Sequence, residues 1–302
     1  MTGGMQTVSR DVGLVAATPE VAVALAAPSV RRGRPMNWEL VVGGALLAAV
    51  AILALAAPLI TPIDPRALAL DDRLLPPGAG HPFGTDDLGR DVLSRVLYGG
   101  RVSLGVGLAA AALSALFGAL LGVVAPVIRW LDTLVMRVVD GIMSIPAILL
   151  AIALVAVAGA SVRNVIIAVT VVEAPRIARI IRSETLSLRG RAYIDAAVTA
   201  GSSTWKIIWR HLLPGVSAQL IVQTAFVWAA AMMIEAALSF IGAGTPPTTP
   251  SWGNIMADGR ALWQIRPNLI FVPAAFLSVS LIGVNLLGEG LRKALNPRGA
   301  RA

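Results

Sequence analysis

Few residues on this chain could do chemistry. Cysteine is absent, which removes thiolate nucleophiles, disulfides and thiolate metal sites together. The two histidines, His81 and His211, lie far apart in the sequence, so a histidine-built metal centre is not expected. Neither lysine, Lys206 or Lys293, ends a glycine-rich loop in Gly-Lys-Ser or Gly-Lys-Thr, and the chain has no phosphate cradle of its own. The run DDLGRD from Asp86 to Asp91 has the look of a calcium loop but lacks the alternating acids and final glutamate that such a loop needs; His81, before Pro82, reads as a turn element. That leaves Glu173 and Glu235, both set in apolar stretches. A carboxylate at bilayer depth is costly and faces a cavity or a partner. Both are candidate lining residues of a substrate path, against the alternatives of an ion pair from Glu173 to Arg176 at i+3 and a packed, protonated structural acid at Glu235.

The elements that would position these groups follow from composition. Of 302 residues, 56% are hydrophobic and 14% charged, with a mean hydropathy of +0.77. Soluble domains run about 45–50% apolar and about 25% charged, so a soluble globular protein is excluded. Six apolar blocks of near-spanning length lie at 38–61, 103–126, 141–160, 164–181, 219–242 and 268–290, and a span takes about 20 residues. Trp38 stands where an aromatic interface anchor would. Block four is the weakest, since it holds Glu173, Pro175 and Arg176.

Sidedness comes from charge. The net charge of +8 is spread between apolar blocks rather than gathered on a polar domain, which argues against nucleic acid as partner. With both ends inside, 17 of the 25 Lys and Arg fall on the inner side, as the positive-inside rule requires. The expected plan is an all-α polytopic membrane protein of six transmembrane helices with both termini cytoplasmic. A tail covers 1–37 and closes on Arg31, Arg32 and Arg34; a signal peptide is disfavoured there because Asp11, Pro19 and Glu20 interrupt the apolar run. The first helix is 38–61, a polar extracytoplasmic segment 62–100, a five-helix domain 101–290, and a C-terminal tail 291–302. Small residues such as Gly43, Gly44, Gly105, Gly107 and the GxxxG pair Gly118 and Gly122 suit close helix packing in lipid.

The longest inner loop, about 184–218, reads as helix, glycine, helix around Gly201. Ala192, Ala196, Ala197 and Ala200 give the first helix an almost bare face. In the second, Ser202 is the expected N-cap, Trp205, Ile208, Trp209 and Leu212 form an apolar stripe, and Pro214 is the expected end. Two uses fit: an amphipathic seal on the bilayer surface, or a stripe anchored on the spans with the bare face offered to another protein.

The string DAAVTAGSSTWKIIWRHLLP resembles the EAA loop of binding-protein-dependent ABC importer permeases, with Asp195, Ala196, Ala197, Gly201, Leu213 and Pro214 on its spacing. Asp195 stands where Glu is usual and His211 where Ile is. Elsewhere in the chain, HPFGTDDLGRDVLSRVLYGGRVSL before this string and ALSFIGAGTPPTTP and SWGNIMADGR after it are similar, in the same order, to segments of the C-type subunit of the dipeptide, oligopeptide and nickel permeases. The resemblance implies a type I importer transmembrane domain and a non-catalytic subunit without a cofactor. It also implies a homologous B-type permease, two ATP-binding subunits and an extracytoplasmic substrate-binding protein as partners in the bacterial inner membrane. Cargo would be peptides or related small solutes, nickel chelates among them. Asp195, Ala196, Ala197, Gly201, Trp205, Ile208, Trp209, Leu213 and Pro214 would couple to the ATPase. A secondary transporter driven by an ion gradient is the rival; it would show internal inverted repeats, and none is seen. An intramembrane enzyme would need a nucleophile–base pair or metal ligands at depth.

Overall fold

The computed structural model describes residues 37–295, and among these it is helical, with one isolated antiparallel bridge between Thr85 and Asp91. The tail over 1–36 with its arginine cluster, and residues 296–302, lie outside the described residues. The long helices are α1 (Trp38–Leu55), α2 (Val92–Val124), α3 (Arg129–Met143), α4 (Ala147–Ala158), α5 (Val162–Arg189), α6 (Ala192–Thr199), α7 (Thr204–Phe240), α8 (Trp252–Gly259) and α9 (Asn268–Leu295). Each of the six apolar blocks falls on one or more of them.

Four of these, α1, α2, α7 and α9, are long and apolar enough to cross a membrane singly. The other two blocks depart from six straight spans. Block three is a pair, α3 and α4, bent by 91° at Ser144-Ile145-Pro146. Pro146 has no N–H for the ladder and pushes Ile145 out of the helical region, so the helix breaks there. With 12 residues, α4 is about 18 Å long, well short of the ~30 Å hydrocarbon core. Block four is one helix of 28 residues, α5, with Pro175 inside it. Its half toward the elbow carries Arg176, Arg179 and Arg182. Arg179 pairs with Asp140, and Arg182 grips Asp132 with two bonds of 2.5 and 2.6 Å, so α3 supplies the counter-charges.

Glycines decide how near the helices come. A Cβ on Gly118 would lie 2.6 Å from the Ile177 side chain, and one on Gly122 would lie 2.7 Å from the Ala178 carbonyl, so the GxxxG pair seats α2 on α5. Where no hydrophobic force drives helices together, this close approach supplies the dispersion contacts that do. Gly43 does the same for α1 on α9, its missing Cβ facing Leu287 N at 2.5 Å. Gly105 faces open space and has no such role. Glu39 pairs with Lys293, which holds the start of α1 beside the end of α9.

In the polar segment, residues 62–82 are largely exposed, while the stretch that leads into α2 is folded against the bundle. Arg95 of α2 is buried and donates to Asp86 at 2.6 Å and to Asp258 of α8 at 2.9 Å; Arg90 binds the same two acids at 2.6 and 2.9 Å. The Asp91 side chain caps α2 by accepting from Ser94 N at 2.7 Å and meets His81 Nδ1 at 2.9 Å. Of the acids of DDLGRD that looked like calcium ligands, Asp86 and Asp91 are thus engaged, Asp86 also accepting from the Leu88 and Arg90 amides, whereas Asp87 Oδ1 is buried without a hydrogen-bond partner.

Filling the α2–α5 contact should separate the helices. Gly122→Leu is expected to lower the unfolding temperature of the detergent-purified protein, in line with the roughly 1–3 kcal/mol or more that overpacking costs. Gly105→Leu, on open surface, should leave it unchanged; thermal unfolding followed by circular dichroism compares the two.

Candidate functional site

The elbow begins where α5 ends at Arg189. α6 closes in a left-handed cap: Gly201 has φ +78°, Ser202 N donates to Ala197 O at 3.0 Å and Gly201 N to Val198 O at 2.9 Å, the pattern in which glycine avoids a Cβ penalty. Nothing lies within 4 Å of where a Gly201 Cβ would be. Backbone conformation, not crowding, therefore demands glycine. The N-cap of α7 is Ser203 rather than Ser202, without a side-chain bond.

The expected stripe divides. Ile208 and Leu212 are buried with Ile194, Leu188 and Val216, in a cluster continuous with Val123 of α2 and Ile177 and Ile181 of α5. Trp205 and Trp209 are 61% and 65% exposed and do not anchor the loop to the spans within this chain. The reason is a wide π turn over Ile208–Leu212, whose i→i+5 bonding breaks the 3.6-residue period on which the stripe was drawn. Pro214 does not end the helix; it sits in the first turn of the Leu213–Phe240 stretch and the chain continues to Phe240. Ile194 is the buried anchor on α6 that the alanine count passed over, and the Tyr193 and His211 rings meet at 6.1 Å. The outward surface holds Ala192, Asp195, Ala196 and Ala200, with Val198 56% exposed. An exposed valine between alanines was the available signal for Val198.

The two carboxylates are far from the elbow cap and differ from each other. Glu235 is 0% exposed. Its oxygens accept from Ser239 Oγ at 2.8 Å and Ser103 Oγ at 3.2 Å, and the network continues through Thr245, Ser251 and Asn254. Asn254 Nδ2 lies within bonding distance of the carbonyls of Thr245, Pro246 and Thr249 at 3.2, 3.1 and 3.0 Å. Glu235 thus ties α2, α7, α8 and the 241–251 loop together and is itself fully buried. Glu173 is 2% exposed and pairs with Arg176 at 3.4 Å, yet its Oε2 accepts no hydrogen bond. It lines a cavity of about 330 Å³ against the α3–α4 break.

Likenesses to known proteins agree with a long helical bundle. Residues 114–301 match the family model described as binding-protein-dependent transport system inner membrane component. The chain belongs to this family. The permease is 47% identical, over 85% of its length and 87% of the relative's, to a putative peptide transport system permease protein of Brucella suis. It is 38% identical to the dipeptide transport system permease protein DppC of Alkalihalophilus pseudofirmus over 87% and 86% of the two chains, and 38% identical to the glutathione transport system permease protein GsiD of Salmonella typhimurium over 89% of each. In fold it resembles a chain of the inward-facing MetNI methionine ABC transporter, with a TM-score of 0.55, 19% identity, and coverage of 66% of the permease and 95% of that chain. The protein is therefore a non-catalytic, multi-pass permease subunit of an ABC importer in the inner membrane, working with ATPase and substrate-binding partners. The secondary-transporter alternative finds no support in these likenesses.

Because Glu235 is held by hydroxyls that can turn to donate or accept, Glu235→Gln should leave the permease's uptake rate and selectivity unchanged. Glu235→Leu strands Ser103 and Ser239 and is expected to cost about 1–3 kcal/mol of stability, read as a lowered unfolding temperature.

Proposed function

We propose that the permease imports peptides. The names of its relatives support that cargo, with nickel chelates and other small solutes as neighbouring chemistry. It forms one half of the path with a homologous B-type permease. Of two ATP-binding subunits, one docks at this elbow and the other on the B-type permease, and an extracytoplasmic binding protein docks at the α8 end. The elbow and both termini are cytoplasmic, residues 62–100 extracytoplasmic, and 101–290 the importer domain.

The observation that carries the coupling role is the elbow's two-sidedness. Ile194, Ile208 and Leu212 are sunk in the bundle while Ala196, Ala200, Val198, Trp205 and Trp209 are bare to the outside. A groove on the ATPase can close over a surface without long side chains, and the exposed tryptophans supply the large apolar anchors that dominate interfaces. Movement of the docked α6 reaches α5 and α2 through the buried cluster, since packed cores transmit displacement rather than absorb it. Asp195, whose carboxylate makes no ion pair among the described residues, accepts from a cationic or backbone donor of the ATPase. Ala197 and Leu213, both half-buried, and Pro214 fix the elbow's outline, and Gly201 sets its corner. Glu173 belongs to the substrate path.

Ala196→Arg and Gly201→Glu test this. Each should give a membrane-inserted permease whose ATP-driven uptake in proteoliposomes falls by roughly tenfold or more, as expected when over 1.4 kcal/mol of docking is lost, and which retains less ATPase on purification. Normal uptake with normal ATPase co-purification removes the coupling assignment.

A further inference from the structure

The cavity beside Glu173 has a construction that the path assignment alone does not explain. Along α5, Glu173 lies about 17 Å from the start at Val162, at 1.5 Å per residue, which is the depth that the short α4 reaches before the chain turns at Pro146. One wall of the cavity is this turn, with Ser144, Ile145 and Pro146; the other is Val172, Glu173 and Arg176. Among the described residues, the carbonyls of Met143, Ser144 and Ile145 accept no hydrogen bond. Glu173 Oε2 is buried and accepts none either. The pocket thus sets a buried, unpaired carboxylate oxygen beside the open carbonyls of an exposed turn and the free amide of Ala147.

The one cationic side chain in its lining is Arg176. Its 3.4 Å contact with Glu173 lacks hydrogen-bond geometry, and its side chain is 52% exposed, so it can leave without uncovering a buried cation. A buried acceptor left without a donor costs free energy, and a small cationic donor that reaches Glu173 Oε2 removes that cost while its other hydrogens stay free for the turn's carbonyls. A primary ammonium carries three N–H donors on one compact charge, as a lysine head does.

We propose that the Glu173 cavity is the station in the path that receives the free amino terminus of the substrate, with Arg176 displaced from the carboxylate as the ammonium enters. This deepens the peptide-import reading and rests on it. Glu173 would then be a specificity-determining residue that distinguishes peptides with a free amino group from blocked ones, whatever their side chains.

The test uses the complete purified complex and dicyclohexylcarbodiimide, an apolar reagent that adds covalently to carboxyl groups within a membrane; the modified residues are read by mass spectrometry. Trialanine near saturation should slow modification of Glu173 by roughly tenfold, as occupancy of about nine-tenths implies, and N-acetyl-trialanine at the same concentration should not. Glu235, enclosed in its hydroxyl network, serves as a carboxyl whose rate neither peptide changes. In parallel, the Glu173→Gln complex should import peptide with less preference for a free over a blocked amino terminus than the wild type shows. Equal protection by both peptides, no protection by either, an unmodified Glu173, or a Glu173→Gln complex with unchanged preference overturns the proposal. ATP-driven trialanine uptake by the wild-type complex tests the import reading separately: its absence removes peptide as cargo, while the labelling still reports what the cavity receives.

Discussion

Beneath the elbow, Leu188, Ile194, Ile208 and Leu212 pack as one apolar knot with Val123, Ile177 and Ile181. A loop between two spans has no reason in itself to be rigid, and α6, with eight residues, is too short to hold its helix alone. Buried contacts to the long helices supply that stability. The same knot exists only because α2 and α5 touch at Gly118 and Gly122, which places Val123 and Ile181 on a shared floor. Bundle packing and elbow geometry are thus one constraint, and a force applied to α6 is met by the core rather than by a hinge.

The chain spends its few charges at the ends of the bundle and in two enclosed places. At the α8 end, Arg90 and Arg95 share Asp86 and Asp258, a cluster in which each buried charge meets an opposite one, as burial requires. Toward the elbow, Asp132 and Asp140 answer Arg182 and Arg179. Between these ends, Glu235 is satisfied by hydroxyls while Glu173 is not. Two glutamates in similar apolar surroundings therefore have unlike roles: one joins helices, the other keeps an acceptor available beside a break in the backbone.

Much of this was legible in the sequence. Apolar runs near 20 residues located the helices, and the EAA-like spacing around Gly201 located the elbow, because both depend on local pattern. The right-angle break at Ser144-Ile145-Pro146 was hidden within an unbroken apolar run, where hydropathy is blind to direction; Pro146 was its one local sign. The π turn was invisible for a related reason: any stripe drawn at 3.6 residues presumes the period it tests, and so Trp209 was placed inward. The roles of Glu173 and Glu235 could not be separated by sequence, since Ser103, Thr245 and Ser251, which satisfy the second directly or through the network, are remote along the chain. Likewise the burial of Arg95 has no local sign, because Asp258, which pairs with it, comes 163 residues later.

The central claim is that α6 touches a nucleotide-hydrolysing partner. The absence of native cysteine makes a single introduced thiol unambiguous, and Val198→Cys places one on the exposed side of α6. In intact cells, a short reagent that alkylates this thiol and carries a photoactivated group able to insert into any neighbouring C–H bond should join this permease to its ATPase subunit, with a yield that changes when ATP binds. Crosslinks that reach only lipid or other permease chains, with the ATPase present in the same membranes, would contradict the account.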